Sequence, residues 1–183
     1  AGAPLSQAPG GQAATAGFGV RDDWLIVPGQ RVGPLKLGDT RERAFQLFPR
    51  KPKIDSEFKY SESHPCGTEY HWLDLDHPKG GYIDIRYKDR RVFQIDTADF
   101  RCRTGEGLKI NSLPEEARGY YSNLRAYVLF GSASRATGDR PLVFWVSAEK
   151  GIAFVFAYDP ERDDRGVAGI SIFKPNGQFC PAR

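Results

Sequence analysis

Leu35-Lys36-Leu37-Gly38-Asp39-Thr40-Arg41-Glu42-Arg43-Ala44-Phe45-Gln46-Leu47-Phe48 recurs, altered, 73 residues later as Leu108-Lys109-Ile110-Asn111-Ser112-Leu113-Pro114-Glu115-Glu116-Ala117-Arg118-Gly119-Tyr120-Tyr121. Each copy opens on alternating apolar residues, Leu35 and Leu37 or Leu108 and Ile110, which read as a short extended entry. A helix start follows. Asp39 or Ser112 can accept from the free N–H groups of the next turn, and Glu42 or Glu115, three residues on, can reach back as a capping box. Pro114 sits where a missing N–H is harmless. Ala44, Leu47 and Phe48, and Ala117, Tyr120 and Tyr121, then follow at helical spacing. The pattern predicts helices over 39–48 and 113–123, the first ended by Pro49.

The segments after each helix also align. Tyr70-His71-Trp72-Leu73-Asp74-Leu75 falls on Val143-Phe144-Trp145-Val146-Ser147-Ala148 at the same offset, Trp upon Trp. Lys79-Gly80 falls on Lys150-Gly151, and Val92 and Ile95 meet Val167 and Ile170, with the offset changing only in turns. Alternation predicts strands over 70–75, 81–87 and 92–97 in one half, and over 125–131, 141–148, 151–158 and 167–173 in the other. Residues 49–68 are polar and irregular, with room for a short helix. The expected fold class is α+β: two tandem helix-plus-antiparallel-meander repeats, over 21–104 and 105–183, with helices packed on one face of a sheet. A half of about 70 residues would be marginal alone, so the two should share a core or a continuous sheet.

Residues 1–20 are Ala, Gly, Pro, Gln, Ser and Thr with few bulky apolar groups, a composition that reads as a flexible arm able to tether a domain to an envelope. A formal charge of +3, with acidic and basic residues interleaved, gives no basic footprint for nucleic acid. No stretch is long and apolar enough to form an integral membrane helix. The three cysteines, Cys66, Cys102 and Cys180, suit one disulfide and one free thiol in an exported chain, periplasmic or secreted. Cys102 and Cys180 both trail the third strand of their half, which favours that pair, although a loop over 61–68 could carry Cys66 to either.

Face assignment follows the alternation. Leu73, Leu75, Ile83, Ile85, Tyr87, Phe93 and Ile95 share the helix-covered side of the first half. In the second half the corresponding set is Phe144, Val146, Ile152, Phe154, Phe156, Tyr158, Ile170 and Ile172. The opposite, solvent-facing side then carries Tyr70, Trp72, Asp74, Tyr82, Asp84, Arg86 and, from the second half, Trp145. Exposed aromatics among charges are what protein-binding surfaces use. The function expected is a non-catalytic exported module binding a protein partner through this face, without catalytic residues, metal or cofactor. The alternative is a hydrolase or metal-dependent enzyme. It would use the carboxylates Asp74, Asp84 and Asp96, kept ionised by Arg86 and solvent, or a metal at the His64-Cys66-His71 segment near His77. No nucleophile elbow occurs, and the Gly-Gly pairs at 10–11 and 80–81 lack the helix a phosphate cradle needs.

Gly33-Pro34-Leu35-Lys36-Leu37-Gly38-Asp39-Thr40-Arg41-Glu42-Arg43-Ala44 resembles the apolar-x-apolar-Gly-Met-Thr helix start of the beta-lactamase inhibitor protein, and a similar start in small outer-membrane assembly lipoproteins. In the inhibitor the motif occurs twice, each time followed by a meander, and the two halves form one sheet with a concave binding face. The resemblance implies that architecture over most of residues 24–173, and inhibitor-like or envelope-associated binding. Asp39 stands in place of the Met, Asn111-Ser112-Leu113 replaces Gly-Met-Thr in the second copy, and the inhibitor's cysteine pairs within each repeat are missing.

Overall fold

The computed structural model describes residues 24–47, 53–59, 66, 69–74, 81–129, 141–157 and 166–181, with 53–59, 69–74 and 157 described by their backbone. The expected N-terminal arm lies outside this set. Twelve strands and two helices are present among the described residues. The first seven elements are β1 (Leu25–Val27), β2 (Arg31–Val32), β3 (Leu35–Lys36), α1 (Arg41–Gln46), β4 (Lys53–Lys59), β5 (Glu69–Asp74) and β6 (Tyr82–Lys88). The remainder are β7 (Arg91–Thr97), β8 (Arg103–Thr104), α2 (Pro114–Tyr120), β9 (Arg125–Leu129), β10 (Leu142–Ser147), β11 (Ile152–Ala157) and β12 (Val167–Phe173).

These strands make two sheets. The large one has the order β4-β5-β6-β7-β12-β11-β10-β9, and the small one β3-β2-β1-β8. Pairing is antiparallel except between β1 and β8, where Ile26 lies beside Thr104. The centre of the large sheet is the β7–β12 seam, with Ile95 opposite Ile172 and Asp96 opposite Ser171.

The chain is therefore mostly β with two sheets, and the expected α+β class of two helix-plus-meander repeats is corrected. The helices have six and seven residues, and each buries only one of them, Ala44 in α1 and Ala117 in α2. At about 1.5 Å per residue such helices are roughly 10 Å long and cannot form a layer. The small sheet fills that role. Ile26, Val32 and Leu35 join Ala44 and Ala117 in one apolar cluster with Ile83, Ile85, Ile95, Phe154, Ile170 and Ile172 of the large sheet. Residues 53–59, expected to be irregular or helical, form β4. The chain bulges there, between Ile54 and Ser56, to keep register with β5.

The approach to each helix is built the same way, one residue out of the expected frame. Asp39 Oδ2 accepts the N–H of Lys36 at 2.8 Å, and Ser112 Oγ accepts that of Lys109 at 3.1 Å, so both residues close a turn instead of capping. Thr40 Oγ1 is the N-cap of α1, accepting from the Arg43 N–H at 3.1 Å. Glu42 pairs outward with Arg90 at 2.6 Å. At α2 it is Glu116, not Glu115, that reaches back, accepting from the Leu113 N–H at 2.6 Å. The hairpin between β6 and β7 puts Asp89 and Arg90 at φ 52° and 59°, the positive values a two-residue type I′ turn needs at both central positions.

Candidate functional site

The small sheet and both helices cover the front of the large sheet. The rear carries the polar residues expected to face solvent, and they are buried: Arg86 is 4% exposed, Asp84 5% and Asp96 6%, with Gln94 and Ser171 also enclosed. The open-face expectation is corrected here. Residues 174–181, following β12, form a tail over these groups, entered through a turn in which the Gly177 N–H donates to the Lys174 carbonyl at 2.8 Å.

Gln94 holds the tail as a strand would. Its Nε2 donates to the Cys180 carbonyl at 2.6 Å, and its Oε1 accepts the Cys180 N–H at 2.9 Å. The same Nε2 also reaches the Asp96 carboxylate, 2.8 Å to Oδ1. Arg86 donates from Nη2 to the Pro181 carbonyl at 3.3 Å and from Nε to Asp96 Oδ2 at 3.4 Å. Phe179, the aromatic residue of the tail, stands with its ring centroid 5.3 Å from that of Phe173 and 5.6 Å from that of Phe144. Burial pushes the Asp96 carboxyl above the ordinary carboxylate range, opposed by Arg86, Ser171 and Gln94. Burial, with the nearby carboxyls of Asp84 and Asp96, raises the Tyr82 hydroxyl likewise. Asp84 and Asp96 are directly opposite in register. Both are buried, and Asp96 is bonded to Gln94 and Arg86, not held in the solvent expected to keep it ionised.

The disulfide joins Cys66 to Cys180, with 5.5 Å between their Cα atoms, and Cys102 is the free thiol. The expected Cys102–Cys180 pair is corrected. Cys102 belongs to the front-face core, its sulfur 3.4 Å from Thr97 Oγ1, whereas the tail crosses the rear. The sheet lies between them. Burial lifts the Cys102 thiol to about 12. Because Cys66 is spent in the disulfide, the His64-Cys66-His71 segment has no thiolate to offer a metal. His64 and His77 lie outside the described residues, as does the side chain of His71. The described residues hold no group of three metal-ligating side chains.

The two tryptophans do not occupy equivalent positions. Trp145 lies opposite Phe154 in register, and Trp72 opposite Asp84. Phe154 belongs to the front core and Asp84 to the rear, so the two positions fall on different faces. The Trp145 ring packs on Phe156, centroids 4.8 Å apart, and under the Arg118 guanidinium of α2 at 4.2 Å. The expected faces of β10 are thus exchanged: Phe144 and Val146 pack at the rear with Ala153 and Phe173. Tyr70, Trp72 and Asp74 lie in β5, where their side chains are outside the described set.

Sequence reasoning missed the surface that is apolar and exposed. Of the large hydrophobic side chains exposed among the described residues, Leu113, Tyr120, Tyr127, Val128 and Leu129 lie on α2 or β9 or beside them, and only Phe100 lies elsewhere. β9 is the last strand of its sheet, and all five of its residues are exposed. Its sequence, Arg-Ala-Tyr-Val-Leu, carries a single charge, at one end. The opposite edge, β4, reads Lys-Ile-Asp-Ser-Glu-Phe-Lys, with a charge at every second position, which blunts an edge against pairing. A separate cleft of about 630 Å³ opens between the small sheet and the tail, floored by Leu37, Val92 and Phe93 and rimmed by Lys88 and Lys174. No described helix is long and apolar enough to cross a membrane.

No family model and no curated protein matches the chain. Among solved structures it is similar to a cysteine-rich secretory protein from Staphylococcus aureus subsp. aureus Mu50. That match has 13% identity and a TM-score of 0.46 over 80% of this chain and 46% of that one. It is also similar to an extracellular protein containing a SCP domain from Bacillus anthracis str. Ames, at 12% identity and a TM-score of 0.43, over 76% and 44% of the two chains. The chain spans less than half the length of either, and likenesses this distant transfer no activity. The resemblance drawn from Gly33 to Ala44, to a beta-lactamase inhibitor or an assembly lipoprotein, is withdrawn because the two helix-plus-meander repeats it implies are not the architecture observed.

Proposed function

We propose that this protein is a non-catalytic, exported binding module, and that its partner is a protein segment that docks in extended form on the α2–β9 end of the sheet. The observation that carries this reading is the end strand β9, all five of whose residues are exposed, Tyr127, Val128 and Leu129 among them, and which carries a single charge. An unguarded edge strand offers a row of backbone donors and acceptors to an incoming strand, and flanking apolar side chains supply selectivity. The Cys66–Cys180 disulfide supports export, periplasmic or secreted, because such bonds persist in oxidising compartments.

The test is a photo-reactive phenylalanine analogue placed at Tyr127 of the full chain in its source cell, with a second placed at Lys88, far from β9. A discrete adduct from position 127 that maps to one segment of one protein, and that Leu129→Lys abolishes, is the expected result. Equal labelling at both positions, or none at 127, overturns the reading.

A further inference from the structure

We propose that the rear face of the large sheet is a receptor groove for an extended aromatic-x-proline peptide, and that the chain fills it with its own Phe179-Cys180-Pro181 for as long as the Cys66–Cys180 disulfide stands. This site is on the rear face and not on the free backbone edge of β9, although its Phe144 lies opposite Tyr127 in register. Three groups of the groove make the contacts. The Gln94 amide pairs with both polar atoms of one backbone residue, at 2.6 and 2.9 Å. The Arg86 guanidinium donates to the next carbonyl at 3.3 Å. Phe144 and Phe173 take the aromatic ring of the residue before.

Gln94 and Arg86 are held in place without the tail, because both are bonded to Asp96. The groove is therefore preorganised. Apart from the Phe179 ring, what it grips is peptide backbone, which any extended segment offers, and a receptor already ordered loses less on binding. Proline suits the third position because Arg86 addresses the carbonyl there. The tail is tethered at both ends. At one end the Asn176 N–H donates to the Ala148 carbonyl at 2.7 Å, within a turn where Asn176 has φ 55°. At the other the disulfide ties Cys180 to Cys66, three residues before β5.

Opening the second tether is a thiol–disulfide exchange with a dithiol. The dithiol's thiolate attacks one sulfur of the Cys66–Cys180 bond and forms a mixed disulfide. Its second thiol then displaces the remaining cysteine. Two electrons pass to Cys66 and Cys180, which leave as thiols, and the reductant leaves as its disulfide. Cys102 takes no part, being buried on the front side.

The experiment is a fluorescence-anisotropy titration of a labelled peptide spanning residues 177–183 and carrying Cys180→Ser. It is run against the full chain oxidised, the full chain in excess dithiothreitol, and the Cys66→Ser variant. Saturable binding is expected in the last two and not in the first. It should weaken about ten-fold with Gln94→Ala in the protein, and similarly with Phe179→Ala in the peptide, which leaves the protein untouched. Failure of the reduced chain to bind, or binding indifferent to both changes, overturns the proposal. So does global unfolding on reduction, which would make the disulfide a staple of the fold. A reduced chain that dimerises and refuses the peptide overturns it in favour of a second copy's tail as occupant.

Discussion

Gly38 and Asn111 occupy one backbone state at two places in the chain, with φ 87° and 70°. Each donates its N–H to a strand of the large sheet, Gly38 to the Val92 carbonyl at 2.7 Å and Asn111 to that of Val167 at 2.8 Å. The next residue completes a second bond in each case: the Val92 N–H donates to Asp39 at 2.9 Å, and the Val167 N–H to Ser112 at 2.9 Å. A Cβ on Gly38 would meet nothing within 4 Å. Gly38→Ala therefore isolates the cost of the left-handed conformation, expected at about 1–2 kcal/mol by urea unfolding, while Asn111→Gly is expected to be neutral or slightly stabilising.

Gly151 has a similar φ, 66°, but no space. A Cβ there would collide with the Phe173 carbonyl and press on the Cα of Gly29 and the nitrogen of Pro175. Gly151→Ala adds a steric term to the conformational one, and its expected cost is on the order of 3 kcal/mol or more. A cost equal to that of Gly38→Ala would show that the junction of small sheet, β11 and tail yields freely.

Among the described residues Arg86 is the buried cation of the rear face, and its removal strands a buried carboxylate. Arg86→Ala is expected to cost about 3 kcal/mol near pH 8. The pH dependence has a definite sign. Because burial raises the Asp96 pKa in the folded state, folding binds protons between the unfolded value of 3.8 and that raised value. The stability tied to its protonation is complete below 3.8 and is lost as pH climbs through the folded value. Arg86 pulls this pKa down, so the variant's Asp96 protonates at higher pH than the wild type's. The penalty should shrink between pH 8 and pH 5, read from denaturation midpoints at both; a pH-independent penalty would show that Asp96 is not the group stranded.

Thiol accounting checks the disulfide directly. With its pKa raised to about 12 by burial, Cys102 should resist maleimide in the native protein. One adduct is expected after denaturation and three after denaturation with reduction. Peptide mapping of the oxidised chain should recover Cys66 joined to Cys180, and recovery of Cys102 in a disulfide would refute this arrangement.

Trp145 is a packing residue that supports α2. Trp145→Ala is expected to lower stability by about 2–3 kcal/mol, from lost burial against Phe156. Arg118→Ala, which removes only the guanidinium over the ring, should cost under about 1 kcal/mol. Unchanged stability in Trp145→Ala would return this side chain to the surface.

Alternation placed β6, β7, β10, β11 and β12 within a residue or two, because each is long enough to show a period of two. The same signal gave the wrong phase for β10. Val143-Phe144-Trp145-Val146 is apolar at every position, since the front core covers one side of it and Phe173 and Phe179 the other. A strand buried on both faces has no polar residue to mark its outside. Asp84, Arg86 and Asp96 misled in the opposite way. Polar residues on alternate positions read as solvated, but these are buried, with Arg86 bonded both to Asp96 and to a tail dozens of residues away. Strands of two and three residues, which build the small sheet, are too short for any periodicity to register. The disulfide depends on the course of that tail across the rear, which no local pattern encodes.

The β7–β12 seam bears on the order in which the molecule is made. Strands β4 to β7 can zip together as neighbours in sequence, but the partner of β7's free side is β12, the last of the described strands. Until a ribosome has delivered β12, a nascent chain presents β7 as a bare edge, with Val92, Phe93 and Ile95 uncovered. Contacts this distant in sequence close slowly. The interval between synthesis of Thr97 and of Phe173 is thus the window in which misassembly between nascent chains competes with completion of the sheet, and in which a holdase would act.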